Sequence, residues 1–374
     1  NEVEGIRLRT GGRTYFGPND LWRIEGFLAY GFQDDKFKYG ISGKWLLNKK
    51  SRLIISGGKR RDVEQIGASL TTSTDVLGRS LASSSVVSTG ANDKLTNINL
   101  TSLAIEAEPW QNVIFRLGGN YRTLESASPT FSLDYNTPTG IASEIKQYET
   151  NLSVSYFPRR KMTGFGVERR VANDYFAHLF TQVTRGDKSI LNSDFDYTKV
   201  QFSYTQPWQM GGFGRLYTTI EAGKTFGELP LGLLSVIPGN QTYFSIYNTF
   251  SQLDYYEFVS DTYASFHFEH NFNGRLFSRI PFLRKLNLRE IVSVRGVIGN
   301  ISEENIALSN VASNPNNLQL IAPSNEPYYE YSLGIGNIFK VFRIDFNFRG
   351  NYKDNIQYPN ARKFGVTGSF GFYF

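Results

Sequence analysis

Apolar and polar residues alternate one for one along most of this chain. In 341–350, VFRIDFNFRG, Phe342, Ile344, Phe346 and Phe348 share one side, and Arg343, Asp345, Asn347 and Arg349 the other. Residues 112–121 set Val113, Phe115, Leu117 and Tyr121 against Asn112, Arg116 and Asn120. Residues 262–272 set Ala264, Phe266, Phe268 and Phe272 against Tyr263, Ser265, His267, Glu269 and Asn271. A period of two marks a strand with one dry face and one wet face. No stretch sustains the 3.6-residue period of an amphipathic helix. The alternation runs to the end, GVTGSFGFYF, where Phe370, Phe372 and Phe374 share a face.

Two architectures produce this pattern. A soluble sandwich buries the apolar faces and wets the others; a membrane barrel turns them to lipid and lines a lumen with the polar ones. Sandwich strands run mostly about 5–6 residues, whereas a tilted strand needs about 9–11 to cross a bilayer. The runs here have the longer length, and their polar faces carry Arg, Asp and Glu. The pattern therefore predicts an all-β fold, a transmembrane antiparallel β-barrel of 16 strands. These are placed at 5–16, 20–32, 36–47, 50–58, 62–70, 96–108, 111–122, 148–157, 174–184, 196–206, 212–223, 261–273, 287–300, 327–337, 338–351 and 362–374.

The whole of 1–374 is then a single barrel domain, with long extracellular loops near 71–95, 123–147, 224–260 and 301–326 and short turns such as 108–111 and 206–210 on the other side. One connection on the short-turn side, 158–173, is long and could instead hide a strand pair. In a closed barrel the last strand pairs with the first, so a chain can end inside a sheet with no edge exposed. Phe370, Phe372 and Phe374 also resemble the C-terminal aromatic signal by which bacterial outer-membrane barrels are recognised for assembly.

Composition fits this picture. Aromatics reach 15% (30 Phe, 22 Tyr and 4 Trp), and the mean hydropathy of −0.33 is too polar for a helical membrane protein. Without cysteine, disulfides, thiolate metal sites and a cysteine nucleophile are excluded. The net charge is +6. The first residue is Asn1 rather than Met, so a signal and upstream domains are expected to lie outside this numbering.

Three stretches carry a family resemblance: 229–292, beginning LPLGLLSVIPGNQTYF; 3–16, VEGIRLRTGGRTYF; and 327–346, PYYEYSLGIGNIFKVFRIDF. Together they resemble a Bacteroidota family of outer-membrane barrels of unassigned function, which carry a carboxypeptidase-regulatory-like domain ahead of the barrel. That barrel is similar to the outer-membrane insertase superfamily, with sixteen strands. There the sixth extracellular loop folds back into the lumen and locks an Arg-Gly-Phe motif against an acidic wall residue. The resemblance puts 224–260 at that loop, with Pro238, Gly239 and Asn240 as its candidate lumen-plugging segment. Arg-Gly-Phe is absent: the nearest basic residue is Lys224, and SVRGVIG (293–299) falls on a strand. The resemblance implies the barrel and not insertion activity.

Candidate chemistry is sparse. TTIEAGKTFG (218–227) has the Gly-Lys-Thr of a phosphate loop but lacks its first glycine and its following helix. Ser265, His267 and Glu269 share a strand face, yet residues two apart stand about 6–7 Å from one another, beyond nucleophile–base reach. His267 and His270 point to opposite faces. No catalytic residue, metal site or cofactor is expected. Arg343, Asp345, Arg349, His267 and Glu269 are expected to line the lumen. Arg60, Arg61, Arg159, Arg160, Lys161, Arg284 and Lys285 are expected at the periplasmic end, where they either ring the inner-leaflet phosphates or snorkel as barrel ends usually do. Trp110 and Trp208 suit an interfacial aromatic belt.

The expected partners are outer-membrane lipid and other outer-membrane or periplasmic proteins. No nucleic acid is expected, because the basic clusters lack stacking aromatics on a shared groove. The function expected is a non-enzymatic role in biogenesis, export or scaffolding within a larger envelope complex of a Gram-negative outer membrane. A solute channel is the alternative, and a barrel enzyme a remote one.

Overall fold

The structure, a computed structural model, describes residues 1–17, 19–66, 93–311, 320–353 and 361–371. Among the described residues one antiparallel sheet holds fifteen strands in chain order. They are β1 (Arg7–Arg13), β2 (Trp22–Gly31), β3 (Lys36–Asn48), β4 (Leu53–Glu64), β5 (Thr96–Trp110), β6 (Val113–Ser126), β7 (Glu144–Tyr156), β8 (His178–Gly186), β9 (Tyr197–Gln209), β10 (Arg215–Phe226), β11 (Thr262–Asn271), β12 (Arg289–Asn300), β13 (Tyr328–Ile338), β14 (Phe342–Arg349) and β15 (Phe364–Phe370). Among the described residues no helix is long and apolar enough to cross a membrane.

The polar faces look inward. Along β14, Arg343, Asp345, Asn347 and Arg349 are buried, while Phe342 and Ile344 are exposed. Along β13, Glu330 and Ser332 are buried and Tyr329, Tyr331 and Leu333 exposed. Leu103, Leu117, Leu152, Val200 and Ile220 continue the outward apolar surface around the sheet. A soluble protein buries such residues and wets the charged ones. The reversed arrangement suits hydrocarbon outside and a polar interior, and it defines a transmembrane-type β-barrel.

Two sequence expectations need correction. Residues 50–58 and 62–70 are not two strands. Leu53–Glu64 is one strand, paired without interruption to β5 from Ile54 to Glu64. The charged run Lys59–Arg60–Arg61 looks like a turn in the sequence, but strand pairing absorbs it: Arg60 faces inward, 1% exposed, on Glu64 at 2.7 Å, while Lys59 and Arg61 point outward. Arg60 and Arg61 therefore leave the proposed basic ring.

The merger of these two predicted strands into one reverses the direction assigned to the first strands. β1 runs from the long-loop end to the short-turn end, as β15 does, and among the described residues no backbone pairing joins the two. The predicted closure of the last strand on the first is not found there. Phe370 ends β15 exposed, and Phe372 and Phe374 lie outside the described residues.

All four tryptophans sit at the short-turn end, exposed on the outer face. Trp110 and Trp208 are near the ends of β5 and β9, and Trp22 on β2 faces Trp45 on β3 in register. Indole rings prefer the bilayer interface, where one part is dry and the N–H is wet. In the sequence, Pro-Trp-Gln turns mark Trp110 and Trp208. Trp22 and Trp45 carry no such local signature.

Candidate functional site

The connection 227–261, between β10 and β11, lies inside the barrel. Its own composition gives the reason: Leu229, Ile237, Phe250, Leu253, Phe258 and Val259 are each fully buried. Removing such side chains from water yields roughly 1.5–3 kcal/mol apiece. Part of the loop packs on inward apolar residues near the long-loop end, including Ile98, Leu124, Ile145 and Tyr197. Another part packs on Tyr263, Val297 and Tyr328.

The loop enters and leaves through a short antiparallel ribbon, Ser235–Val236 with Val259–Ser260. Between these, Gly239, flanked by Pro238 and Asn240, makes a parallel bridge to Phe250. The Pro238 carbonyl accepts from the Phe250 N–H at 2.8 Å. A Cβ on Gly239 would stand 2.5 Å from the Leu253 carbonyl oxygen, so the backbones approach too closely for any other residue. Asn240 accepts from the Thr242 N–H at 3.0 Å and donates to the Phe244 carbonyl at 2.8 Å.

Charged wall residues hold the loop. Arg349 pairs with Glu257, both side chains fully buried, and also donates to the Gln252 carbonyl at 3.1 Å. The Glu330 carboxylate accepts two successive loop N–H groups, Ser251 at 2.7 Å and Gln252 at 2.9 Å. Arg295 bridges Glu330 at 3.0 Å and Ser251 Oγ at 2.6 Å. Deeper in the barrel, Arg343 forks onto Glu269 at 2.8 and 2.7 Å, and its Nε donates to Asp345 at 2.9 Å. His267 packs its ring 4.9 Å from Phe250.

Arg343, Asp345, Arg349, His267 and Glu269 all stand on the inner wall; Arg343, Asp345 and Glu269 form one charged cluster, Arg349 forms another with Glu257, and His267 Nε2 makes no hydrogen bond among the described residues. The lock has the opposite polarity to the one the superfamily resemblance implies: here the loop supplies the acid, Glu257, and the wall the base, Arg349. Glu257, Glu330 and Arg295 are not among the residues expected from the sequence, because nothing local marks which charges a distant loop will meet. The only cue was the odd pairing of Glu257 with an otherwise apolar run.

The loop also reaches the sheet edge. Gly368 on β15 donates to the Tyr243 carbonyl and accepts from the Ser245 N–H, both at 2.8 Å, which makes Phe244 a parallel bridge partner of Gly368. Ser245 Oγ lies 2.9 Å from Thr367 Oγ1 and 3.1 Å from Asp345 Oδ2. Edge N–H and C=O groups otherwise invite further strand pairing, and three residues of the loop cover them here. Cysteine is absent from the chain, so Ser245→Cys with Thr367→Cys gives a clean cross-link test. The pair is expected to oxidise nearly completely in the folded protein and to remain reduced when unfolded, as read by thiol labelling.

The long-loop end is lidded by the loop's neighbours. Asn305 accepts from the Leu229 N–H at 2.7 Å, and Lys94 donates to the Tyr255 carbonyl at 3.2 Å. Burial holds the Lys94 ammonium below the ordinary lysine range. Asp261, at the end of the loop, ties it to the first of these neighbours by accepting from the Ser302 N–H at 2.8 Å and from Asn305 Nδ2 at 3.1 Å.

At the short-turn end, the connection 157–177 does contain a small strand pair, Met162–Thr163 with Arg170–Val171. It crosses to the far wall, where Val167 packs with Leu46 and Ile54, and Arg52 donates to the Gly166 and Val167 carbonyls at 3.1 Å each. Of the candidate basic ring, Arg159, Lys161, Arg284 and Lys285 are exposed at this end. Arg160 is buried, its guanidinium 3.7 Å from the Phe157 ring. Residues 218–226 form part of β10, so the Gly-Lys-Thr is strand and not phosphate loop. Glu269 is engaged by Arg343, and His270 lies 2.7 Å from the Phe213 carbonyl on another face.

The geometry thus defines a transmembrane-type barrel whose interior is occupied by its own connections. Residues 137–303 match the model described as "Family of unknown function (DUF5686) C-terminal domain". Among solved structures, the chain is similar to BamA from Haemophilus ducreyi lacking POTRA domains 1–3, at 11% identity and TM-score 0.55, covering 98% of this chain and 70% of that one. It also aligns with CdiB from Acinetobacter baumannii at 12% identity and TM-score 0.47, covering 97% of this chain and 55% of that one. A third alignment is with OccK10 (OpdN) of Pseudomonas aeruginosa, at 10% identity and TM-score 0.33 over 98% of this chain and 92% of that one. No curated protein matches the sequence. At this identity the BamA likeness speaks for the fold alone.

Proposed function

We propose that this chain is a plugged, non-enzymatic outer-membrane barrel that serves biogenesis, export or scaffolding of other envelope components within a larger complex. The observation that carries the reading is the fixed loop. Residues 231–242 and 249–253 are buried without a break, and the fully buried Arg349–Glu257 pair anchors the loop to the wall. A solute pore needs a wet path, and a buried pair broken on one side costs about 3–5 kcal/mol, so this loop is not a casual gate. The reading places the short-turn end in the periplasm, as barrels of this class have their short turns there. It places the protein in a Gram-negative outer membrane, of the Bacteroidota on the strength of its sequence phrases, with an upstream periplasmic domain.

Conductance in planar bilayers tests the proposal. The wild-type chain is expected to be electrically silent, and replacement of 236–258 by a short Gly-Ser linker to give steady openings. Steady wild-type conductance would transfer the assignment to a solute channel. Mild-detergent extraction of the native complex is expected to bring other envelope proteins with it.

A further inference from the structure

The basic residues at the short-turn end are not evenly spread. Between the connections 14–21 and 157–177 lies a cavity of about 300 Å³, with Arg13, Arg23, Arg169 and Arg170 among its walls and Glu168 as its one carboxylate. Both sides are fixed. Phe165 N–H donates to Asn19 Oδ1 at 2.7 Å, and Val167 N–H to the Asp20 carbonyl at 2.6 Å. A Cβ on Gly166 would lie 2.7 Å from Asn19 Cα, so the two segments touch backbone to backbone.

The charges do not balance. Glu168 is shared between Arg23, with which it pairs closely, and Arg13 at 3.7 Å; Asp20 behind the wall gives Arg23 a second carboxylate at 3.7 Å, which still leaves the arginines in excess. Arg169 is taken by Glu108, and Arg170 has no carboxylate partner among the described residues. Arg23 is itself buried, yet its Nε has no hydrogen-bond partner there. Burial, and then Arg169, hold the neighbouring Arg52 guanidinium below its ordinary value, which fits a site crowded with positive charge.

Every cation in the wall is an arginine. Guanidinium forks match tetrahedral oxyanions through paired hydrogen bonds, which lysine cannot offer. The volume is at the small end of ligand pockets, which run about 300–1,000 Å³, so it suits a headgroup-sized molecule rather than a folded peptide. We infer that this cavity binds the phosphate of a small ester, clamped by Arg13, Arg23 and Arg170. The ester is either a phospholipid headgroup from the adjoining leaflet or a soluble phosphate ester from the aqueous side. The inference is independent of the plugged-barrel reading.

Calorimetry on the detergent-folded chain tests it with dihexanoyl-phosphatidylglycerol, glycerol 3-phosphate and hexaglutamate. Saturable binding of a phosphate probe is expected, at least tenfold weaker in R13Q/R170Q and unchanged in R185Q, whose arginine is exposed on β8. Tighter binding of the lipid assigns the headgroup, and equal binding of glycerol 3-phosphate assigns the soluble ester. Arg13 and Arg170 are both exposed, and heat-modifiable gel mobility confirms that the variant has folded. Absence of saturable phosphate binding, unchanged affinity in R13Q/R170Q, or binding of hexaglutamate alone overturns the inference.

Discussion

Glu257→Gln is expected to destabilise the folded barrel by roughly 3–5 kcal/mol, the cost of leaving a buried partner uncompensated. The reason lies in what remains around Arg349. Its guanidinium keeps the Gln252 carbonyl at 3.1 Å, the Asn351 carbonyl at 3.2 Å and the Tyr328 ring at 5.0 Å, but no formal negative charge in direct contact. A buried cation cannot recover that loss from neutral dipoles. The double variant E257Q/R349M is expected to regain most of the stability, because replacing both ends of a buried pair is often close to neutral. A surface pair provides the scale: Lys146 and Glu144 lie 2.8 Å apart with side chains 46% and 36% exposed, so E144Q should change stability by no more than about 1 kcal/mol. Midpoints of urea unfolding, followed by gel mobility, read all three. Equal midpoints for E257Q and E144Q would mean that the loop is not held by this pair.

The sequence showed the wall of the barrel more fully than its contents. Inward placement of Arg343, Asp345 and Arg349 follows from a period of two, which strand geometry enforces locally. The same rule located Glu269 and His267. The alternation failed where charge and glycine interrupt it: Gly57, Gly58, Lys59, Arg60 and Arg61 resemble a turn, yet all five lie in β4. Cross-strand pairing decided that point, and pairing partners are far away in sequence. The plug is a matter of tertiary structure. Pro238, Gly239 and Asn240 were marked through a resemblance, whereas their fit depends on Leu253 and Phe250 folding back against them. The loop segment on the β15 edge left no trace in the sequence, since backbone bonds from Gly368 to Tyr243 and Ser245 use no distinctive side chain.

The outward face provides the second large effect. Leu103 lies midway along β5, 63% exposed, opposite Gly57 on β4 and Gly119 on β6. If that face meets acyl chains, Leu103→Arg places a cation near the bilayer midplane and costs about 2–4 kcal/mol. Leu47, near the short-turn end of β3 and on the same outer face, is close to the level of Trp45 and the other tryptophans. There an arginine can snorkel to the headgroups, so Leu47→Arg should cost at most about 1 kcal/mol. In a water-soluble protein the order would vanish, because a polar substitution at an exposed site usually stays within about 0.5 kcal/mol wherever it falls. The contrast between the two variants in refolded vesicles therefore reports the solvent on that face directly. Two small and equal effects, together with a chain that stays dissolved without detergent, would turn the sheet inside out and remove the membrane from the reading.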